Sequence, residues 1–125
     1  MEKIMIKILA VDDEVEIVNF LKEALEQNNR YYIEKCSSGS LAEMLGQNIK
    51  YSLIVADYRM PYLNGVDLIK NIRFGEGPNK DVPILFISSF EKKVLDETKG
   101  LSGIHFMSKP ILIEDLIENV ESIIG

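Results

Sequence analysis

Acidic side chains follow two apolar stretches of the chain, at the points where buried strands would end. Asp12 and Asp13 follow the apolar residues 6–11, and Asp57 follows the apolar residues 53–56. An ionised carboxylate in a buried position costs free energy unless a partner compensates its charge. Two carboxylates about 5 Å apart repel by roughly 3 kcal/mol at an effective dielectric constant of 20. If these strand ends are neighbours, the acids need a cation, and a hard divalent ion with oxygen ligands, such as Mg²⁺, meets that need.

Hydroxyl groups and an ammonium group follow two further apolar stretches. Ser88 and Ser89 end residues 83–89, and Lys109 follows residues 103–108. Each group by itself has a simple structural explanation, because the acids could cap a helix or begin a turn, and the serines and the lysine could be ordinary surface groups. Complementary groups at four strand ends exceed what capping requires. Taken together, they favour a functional site.

The spacing of apolar residues alternates between strand and helix periods along the whole chain. The pattern predicts strands at residues 6–11, 31–37, 51–56, 83–88 and 103–108, and helices at residues 14–27, 41–47, 66–74, 91–100 and after Pro110. This alternation predicts a parallel sheet with helices on both faces, because a parallel strand is reached only through a crossover. The first, third and fourth strands are almost continuously apolar and belong in the middle of the sheet. Functional groups of such folds collect at the carboxyl ends of the strands.

Three of the helices carry more specific expectations. Ser40, with Glu43 three residues later, is interpreted as a capping box that opens the second helix. The fourth helix has only Val94, Leu95 and the methyl group of Thr98 to bury, so we expect it to be weakly anchored. The last helix is expected to turn five apolar side chains inward. They are Ile113, Leu116, Ile117, Val120 and Ile124.

Composition and charge narrow the class of protein. The 125 residues have the size of one domain and contain no linker, so residues 1–125 are expected to form a single domain. A formal net charge of -6 without a basic run argues against nucleic-acid binding. The single cysteine, Cys36, excludes an internal disulfide and is interpreted as a small buried thiol in a reducing compartment. The apolar run at residues 4–11 is interrupted by Lys7 and is too short for a membrane span, which predicts a cytoplasmic protein.

Four short motifs, in this order and at this spacing, resemble the receiver (CheY-like) domain of bacterial two-component response regulators. They are VDDE at residues 11–14, DYRMPYLNG at 57–65, VPILFISS at 82–89 and MSKP at 107–110, and the resemblance covers essentially the whole chain. It implies a flavodoxin-like, doubly wound (βα)5 sandwich whose five-stranded parallel sheet has the order 2-1-3-4-5. It also implies a phospho-acceptor signalling domain that catalyses only its own phosphorylation and dephosphorylation, and is not otherwise an enzyme.

The resemblance implies a role for each group at the strand ends. Asp57 would be the phospho-acceptor, which takes a phosphoryl group as an acyl phosphate from a sensor histidine kinase or a phosphotransfer protein. Asp13 and Asp57 would bind Mg²⁺ directly, together with the backbone carbonyl of Arg59, and Asp12 would act largely through metal-bound water. Lys109 would pair with Asp57 and then with the phosphoryl oxygens. No general base is required, because an aspartate is already ionised at neutral pH.

The resemblance also implies a route by which the signal leaves the site. Ser88 stands at the family's Thr/Ser switch position, Phe106 stands at its aromatic switch position, and the family has a cis peptide bond before Pro110. A hydrogen bond from Ser88 to the phosphoryl group would draw the following loop inward, and Phe106 would become more buried. The altered surface of helix 4, strand 5 and helix 5 would control a downstream protein or an output domain in a longer chain, and could support a phosphorylation-linked dimer. Beyond the resemblance, Arg59 lies two residues after the acceptor and Phe90 two residues after Ser88, where their side chains can flank the phosphoryl group, and we expect them to modulate the lifetime of the acyl phosphate by controlling the access of water.

Three other functions are compatible with parts of this pattern. A flavodoxin-like cofactor protein would share the fold but needs a Gly-rich or hydroxyl-rich phosphate loop after the first strand, where this chain has the acidic residues 12–14. A metal-dependent phosphatase would need a second acid beside Asp57, and the neighbouring Tyr58 and Arg59 provide none. A receiver-like interaction module would keep the fold without ever being phosphorylated.

Overall fold

The computed structural model of the protein describes residues 5–125, in which five strands alternate with five helices. The strands are β1 (Ile6–Val11), β2 (Tyr31–Cys36), β3 (Leu53–Ala56), β4 (Ile84–Ser88) and β5 (Ile104–Ser108). The helices are α1 (Val15–Glu26), α2 (Gly39–Asn48), α3 (Gly65–Phe74), α4 (Glu91–Glu97) and α5 (Ile113–Ile124). The strands pair in parallel in the order β2-β1-β3-β4-β5. This confirms the doubly wound, flavodoxin-like fold. Ile4, the first residue of the N-terminal apolar run, lies outside the described residues.

The sheet buries side chains on both of its faces, as the apolar strands predicted. Leu9 and Ile54 belong to a core cluster that also contains residues of α2, α3 and α4, whereas Ile8 and Val55 belong to a second cluster with residues of α1 and α5. Every residue of β3 and β4 is buried. The central position of the first, third and fourth strands is therefore confirmed. Cys36 lies buried at the end of β2, which confirms its interpretation as a small buried thiol.

α2 begins two residues earlier than predicted, and a different serine caps it. The N-cap residue is Ser38, whose extended backbone lets its side chain accept a hydrogen bond from the N–H of Leu41 at 3.3 Å. The predicted capping box is wrong because Ser40 lies inside the first turn of the helix. Glu43 instead accepts a hydrogen bond from the side-chain amide of Asn71 on α3, so it joins two neighbouring helices.

α4 is shorter than predicted and is anchored by fewer side chains. The helix ends at Glu97, and the hydroxyl of the following Thr98 donates to the carbonyl of Val94 at 2.7 Å. Gly100 then takes a left-handed backbone conformation, with φ of 87°, which favours glycine and ends the segment. Val94 and Thr98 are buried as expected, but the prediction for Leu95 is wrong, because its side chain is 47% exposed. Adjacent helical positions point about 100° apart, and in α4 only the side of Val94 faces the core.

Fewer side chains of α5 are buried than predicted. Leu116 and Val120, spaced by four residues on one face, are buried, and Ile117 and Ile124 are half-buried. The prediction for Ile113 is wrong, because this side chain is 47% exposed. Ile113 is the first residue of the helix and precedes the first buried position by most of a turn.

β3 begins two residues later than predicted because a loop side chain binds the backbone of Tyr51. The N–H of Tyr51 donates to the side-chain oxygen of Asn79 at 2.9 Å, and Asn79 is fully buried. The amide nitrogen of Asn79 donates to the carbonyl oxygens of Gly46 and Ile49, both at 2.6 Å. Asn79 thus ties the loop before β4 to the end of α2 and to the start of β3.

Candidate functional site

Two neighbouring strands end side by side and bring their following acids together. β1 and β3 pair with Val11 opposite Ala56, and the N–H of Asp57 donates to the carbonyl of Val11 at 3.1 Å. Asp12, Asp13 and Asp57 each offer a carboxylate oxygen, and these oxygens lie within 4.8 Å of one another. The structure therefore joins the acids that the sequence placed at two separate strand ends.

Two of these acids are nearly inaccessible to water. The exposed fraction is 2% for Asp12 and 7% for Asp57, whereas Asp13 is exposed. Burial raises the pKa of Asp12 to about 6. The N–H of Glu14 and the charge of Lys109 favour the ionised form and partly offset this rise. Burial also raises the pKa of Asp57, and Lys109 again opposes the shift. The protein's own groups leave these acids short of positive charge, so a further cation would stabilise their ionised forms.

Lys109 supplies the ammonium group of the site. Its Nζ lies 3.3 Å from Oδ2 of Asp12, 3.5 Å from Oδ2 of Asp57 and 3.6 Å from Oε1 of Glu14. Burial lowers the pKa of the ammonium, but the attraction of Asp57 and Asp12 outweighs burial, and the net shift is upward. Lys109 therefore keeps its charge. Sequence reasoning paired it with Asp57 alone and missed the shorter distance to Asp12.

The ends of β4 and β5 complete this edge of the sheet. Ser88 lies opposite Ser108, and the N–H of Lys109 donates to the carbonyl of Ser88 at 3.1 Å. The peptide bond between Lys109 and Pro110 is cis, as the resemblance implied. The side chain of Ser88 is fully buried, and its Oγ accepts a hydrogen bond from the N–H of Phe90 at 3.0 Å. The hydroxyl is thus linked to the backbone of the loop that leads into α4.

Phe106 lies on β5, two positions before the end of the strand and opposite Phe86. Its side chain is half-buried and packs against the core cluster that contains Val94 of α4. The neighbouring His105 is exposed. Phe106 therefore packs on the side of the sheet that α4 covers.

The loop that follows Asp57 turns back sharply over the site. The N–H of Gly65 donates to the carbonyl of Tyr58 at 2.8 Å, and a Cβ at position 65 would lie 2.1 Å from the carbonyl oxygen of Asp57. Only glycine fits this close approach. Asn64 caps α3 by accepting the N–H three residues later at 2.9 Å. The loop and Lys93 of α4 line an open cleft of about 420 Å³ beside the acids.

Sequence reasoning missed a contact between this loop and α4. Oη of Tyr58 donates to Oε2 of Glu97 at 2.6 Å, and its ring centroid lies 6.0 Å from that of Phe90. The hydrogen bond to Glu97 raises the pKa of Tyr58, and burial adds to the shift. Arg59 is exposed, and its guanidinium lies 4.6 Å from the centre of the Phe90 ring. The position of Glu97, three residues after the inward-facing Val94, is the signal that could have suggested the contact.

A doubly wound parallel sheet with acids and a lysine at its carboxyl edge defines a narrow class of α/β domain. The family model described as "Response regulator receiver domain" matches residues 8–121. The chain therefore belongs to the receiver domain family of two-component response regulators. This membership favours a receiver over the flavodoxin-like cofactor protein that the fold alone would allow.

Individual relatives agree with this family. The "Chemotaxis protein CheY1" of Helicobacter pylori is 28% identical over 121 residues, which cover 95% of this chain and 97% of that protein. The "Nisin biosynthesis regulatory protein NisR" of Lactococcus lactis subsp. lactis is 30% identical over 93% of this chain, but over only 49% of that protein. The structure of the chemotaxis response regulator CheY4 of Vibrio cholerae has a TM-score of 0.84 at 28% identity, and the match covers 96% of this chain and 99% of that chain.

The family implies signalling in a two-component system, with a kinase partner and an output function. Receiver domains bind Mg²⁺ at an acidic site, and Asp12, Asp13 and Asp57 form an acidic group of this kind. Their carboxylate oxygens are the ligands that a hard divalent cation prefers. Among the helices described in residues 5–125, none combines the length and the apolar character needed to cross a membrane.

Proposed function

We propose that Asp57 accepts a phosphoryl group from a phosphohistidine of a sensor histidine kinase, or of a phosphotransfer protein, in a Mg²⁺-dependent reaction. The observation that carries this proposal is the meeting of Asp12, Asp13 and Asp57 with the ammonium of Lys109, 3.5 Å from Oδ2 of Asp57. Capping a helix does not require three acids and a lysine at one edge of a sheet. Phosphoryl transfer mainly requires a protein to position groups and to stabilise charge, and this set of side chains can do both.

Asp57 acts as the nucleophile in this proposal. One of its carboxylate oxygens forms a bond to phosphorus while the P–N bond of the donor breaks, and the electron pair of that bond stays on the imidazole nitrogen. The N–H of Tyr58 donates to Oδ1 of Asp57 at 2.8 Å and orients the carboxylate. Lys109 stabilises the negative charge of the phosphoryl oxygens after transfer. The same groups serve hydrolysis of the acyl phosphate, so the domain catalyses only its own phosphorylation and dephosphorylation.

The metal would be held by the acids and by one backbone carbonyl. Asp13 and Asp57 would contribute direct oxygen ligands, together with the carbonyl of Arg59, and Asp12 would act through a metal-bound water. When bound, Mg²⁺ supplies positive charge next to the phosphoryl oxygens. The raised pKa values of Asp12 and Asp57 support this assignment, because burial leaves both carboxylates in need of a cation.

Phosphorylation would change the surface formed by α4, β5 and α5. Ser88 would donate its hydroxyl to a phosphoryl oxygen, and Phe106 would move to a more buried position beneath α4. This surface would control a downstream protein or an output domain of a longer chain, and it could pair two copies in a phosphorylation-linked dimer. Residues 1–125 would act as one domain in the cytoplasm, without contacting nucleic acid or a membrane directly.

Intact-mass measurement after incubation with acetyl phosphate and Mg²⁺ tests the proposed acceptor. The wild-type protein should gain one phosphoryl group and Asp57→Asn should gain none, whereas Asp81→Asn, which alters an exposed aspartate, should behave like the wild type. An equal gain in the wild type and Asp57→Asn would place the acceptor elsewhere. No gain in any variant would favour the receiver-like module that is never phosphorylated, and turnover of a generic phosphate ester would favour the phosphatase.

A further inference from the structure

We infer that the hydrogen bond between Tyr58 and Glu97 is a latch that holds α4 in its resting position and is released when Asp57 is phosphorylated. The inference rests on the proposed function, since it presumes that Asp57 is the acceptor. The backbone N–H of Tyr58 donates to Oδ1 of Asp57 at 2.8 Å, and its side-chain Oη donates to Oε2 of Glu97 at 2.6 Å. A single residue therefore contacts both the acceptor carboxylate and the helix that must respond to it.

α4 depends on few side chains for its position, so one hydrogen bond from outside the helix carries weight. Of its residues, Glu91–Glu97, only Val94 is buried. Thr98 is buried immediately after the helix, but its hydroxyl donates back to the helix carbonyl of Val94 and does not tie α4 to the rest of the protein. Hydrogen bonds to a charged acceptor are among the stronger ones in proteins. The bond from Tyr58 to Glu97 is thus a main polar tether of this short helix within residues 5–125.

The ring of Tyr58 contacts the loop that must move when the phosphoryl group arrives. Its centroid lies 6.0 Å from that of Phe90, and the N–H of Phe90 donates to Oγ of Ser88 at 3.0 Å. If Ser88 turns toward the phosphoryl group, Phe90 moves with it, and the contact that positions the Tyr58 ring is lost. The acceptor end changes as well, because the carboxylate of Asp57 becomes an acyl phosphate. Both ends of Tyr58 are therefore tied to groups that phosphorylation displaces.

The latch makes a prediction about affinity at the acidic site. An interaction that stabilises the resting state weakens the binding of any ligand that prefers the active state. The loss in binding free energy is at most the free energy that the interaction contributes to the resting state. Beryllofluoride with Mg²⁺ imitates a phosphoryl group on an aspartate and can serve as that ligand. Removing the latch should therefore tighten the binding of beryllofluoride, although the substitutions lie outside its immediate ligands.

Two substitutions remove the latch from opposite sides. Tyr58→Phe removes the hydroxyl and keeps the ring, and Glu97→Ala removes the acceptor with a residue of high helix propensity. Each should tighten beryllofluoride binding about five- to tenfold in an amide NMR titration, as expected for one charge-assisted hydrogen bond at a partly exposed site. The double variant should bind no more tightly than either single variant, because the two groups form one interaction. Amide hydrogen exchange in α4 should be faster in both variants before beryllofluoride is added.

Tyr51→Phe is the matched control. Oη of Tyr51 also donates to a glutamate, Glu34, but Tyr51 precedes β3 at the end of the strand opposite to the acids. This variant should lower the stability of the protein and leave the affinity for beryllofluoride unchanged. The comparison separates a latch from a general effect of losing a tyrosine hydroxyl.

The outcomes distinguish the latch from the proposed function on which it rests. If the wild type binds beryllofluoride and Tyr58→Phe binds it equally or more weakly, the latch is refuted and the proposed function stands. Additive effects of Tyr58→Phe and Glu97→Ala would also refute the latch, because the two groups would then act separately. A wild type that does not respond to beryllofluoride and Mg²⁺ would refute both. Thermal unfolding checks that each variant folds. If Tyr58→Phe does not fold, the beryllofluoride affinity of Glu97→Ala decides between the outcomes.

Discussion

Replacing Asp57 by asparagine should make the protein more stable in the absence of Mg²⁺, although it removes the proposed phospho-acceptor. The carboxylate of Asp57 has two other carboxylates within 4.8 Å and one ammonium at 3.5 Å. At an effective dielectric constant of 20, each repulsion costs at least about 3.5 kcal/mol and the attraction contributes about 4.7 kcal/mol. The balance is about 2 kcal/mol against the charge, before the cost of its burial. The exposure of Asp13 weakens one repulsion, so we expect a gain of about 1–2 kcal/mol in the free energy of unfolding.

Asparagine changes the charge with little change in shape, which makes the comparison clean. Its side-chain oxygen can still accept the N–H of Tyr58, which lies 2.8 Å from Oδ1 of Asp57. Urea denaturation at neutral pH with EDTA measures the difference in the free energy of unfolding. Excess Mg²⁺ should then stabilise the wild type by binding to the folded state, and it should stabilise Asp57→Asn less. The difference in the free energy of unfolding between the two proteins should therefore become smaller, or change sign, when the metal is present.

Asp81→Asn controls for the loss of a negative charge outside the site. Asp81 is exposed in the loop before β4, so the substitution should change the free energy of unfolding by less than about 0.5 kcal/mol, with or without Mg²⁺. If Asp57→Asn unfolds at the same or a lower urea concentration than the wild type in EDTA, the electrostatic reasoning is wrong. If Mg²⁺ stabilises both proteins equally, Asp57 is not a ligand of the metal.

Three further variants test other parts of the molecule. Asn79→Ala should lower the free energy of unfolding by about 3 kcal/mol in urea denaturation, because it removes three hydrogen bonds of a fully buried side chain and leaves the buried N–H of Tyr51 unsatisfied. The double variant Arg59→Ala, Phe90→Ala should lose its phosphoryl group severalfold faster, because the stacked pair no longer limits the access of water; an unchanged rate in an intact-mass time course would refute this role. Glu26→Gln should make the protein less sensitive to acid. An ammonium and a backbone N–H lower the pKa of Glu26 and outweigh the opposite effect of burial. The ionised Glu26 therefore stabilises the folded protein fully above its ordinary pKa of 4.5, and this stabilisation is lost as the pH falls through the lowered pKa. Urea denaturation at a series of pH values measures this, and equal losses in both proteins would contradict it.

The fold and the place of the acids could be predicted because both depend on local patterns. Apolar runs identify the strands, and parallel strands that alternate with helices must end at the same edge of one sheet. Asp12 and Asp57 follow two such runs, and the register between β1 and β3 then brings them together without any further information. The resemblance added the strand order and the cis bond before Pro110, which the periodicity of the sequence does not contain.

The contacts that sequence reasoning missed depend on which side of a short element faces inward. Val94 and Leu95 are adjacent, and the apolar pattern gives no reason to bury one and expose the other. Ser38 and Ser40 are equally good capping residues, and the choice between them depends on where the chain leaves β2. The pairing of Tyr58 with a glutamate 39 positions away depends on the final position of α4. Tertiary packing decides each of these cases.

Coupling between the acidic site and α4 needs only a modest free energy, because a single buried side chain and one hydrogen bond from outside the helix anchor α4. A ligand can shift a conformational equilibrium only by its difference in affinity for the two states. At an effective dielectric constant of 20, charge compensation at the site involves about 2 kcal/mol. That amount is enough to redistribute a helix held by Val94, Thr98 and one hydrogen bond from Tyr58. It is too small to move β3 or β4, in which every residue is buried, so we expect the proposed response to leave the sheet in place and to be confined to the α4 side.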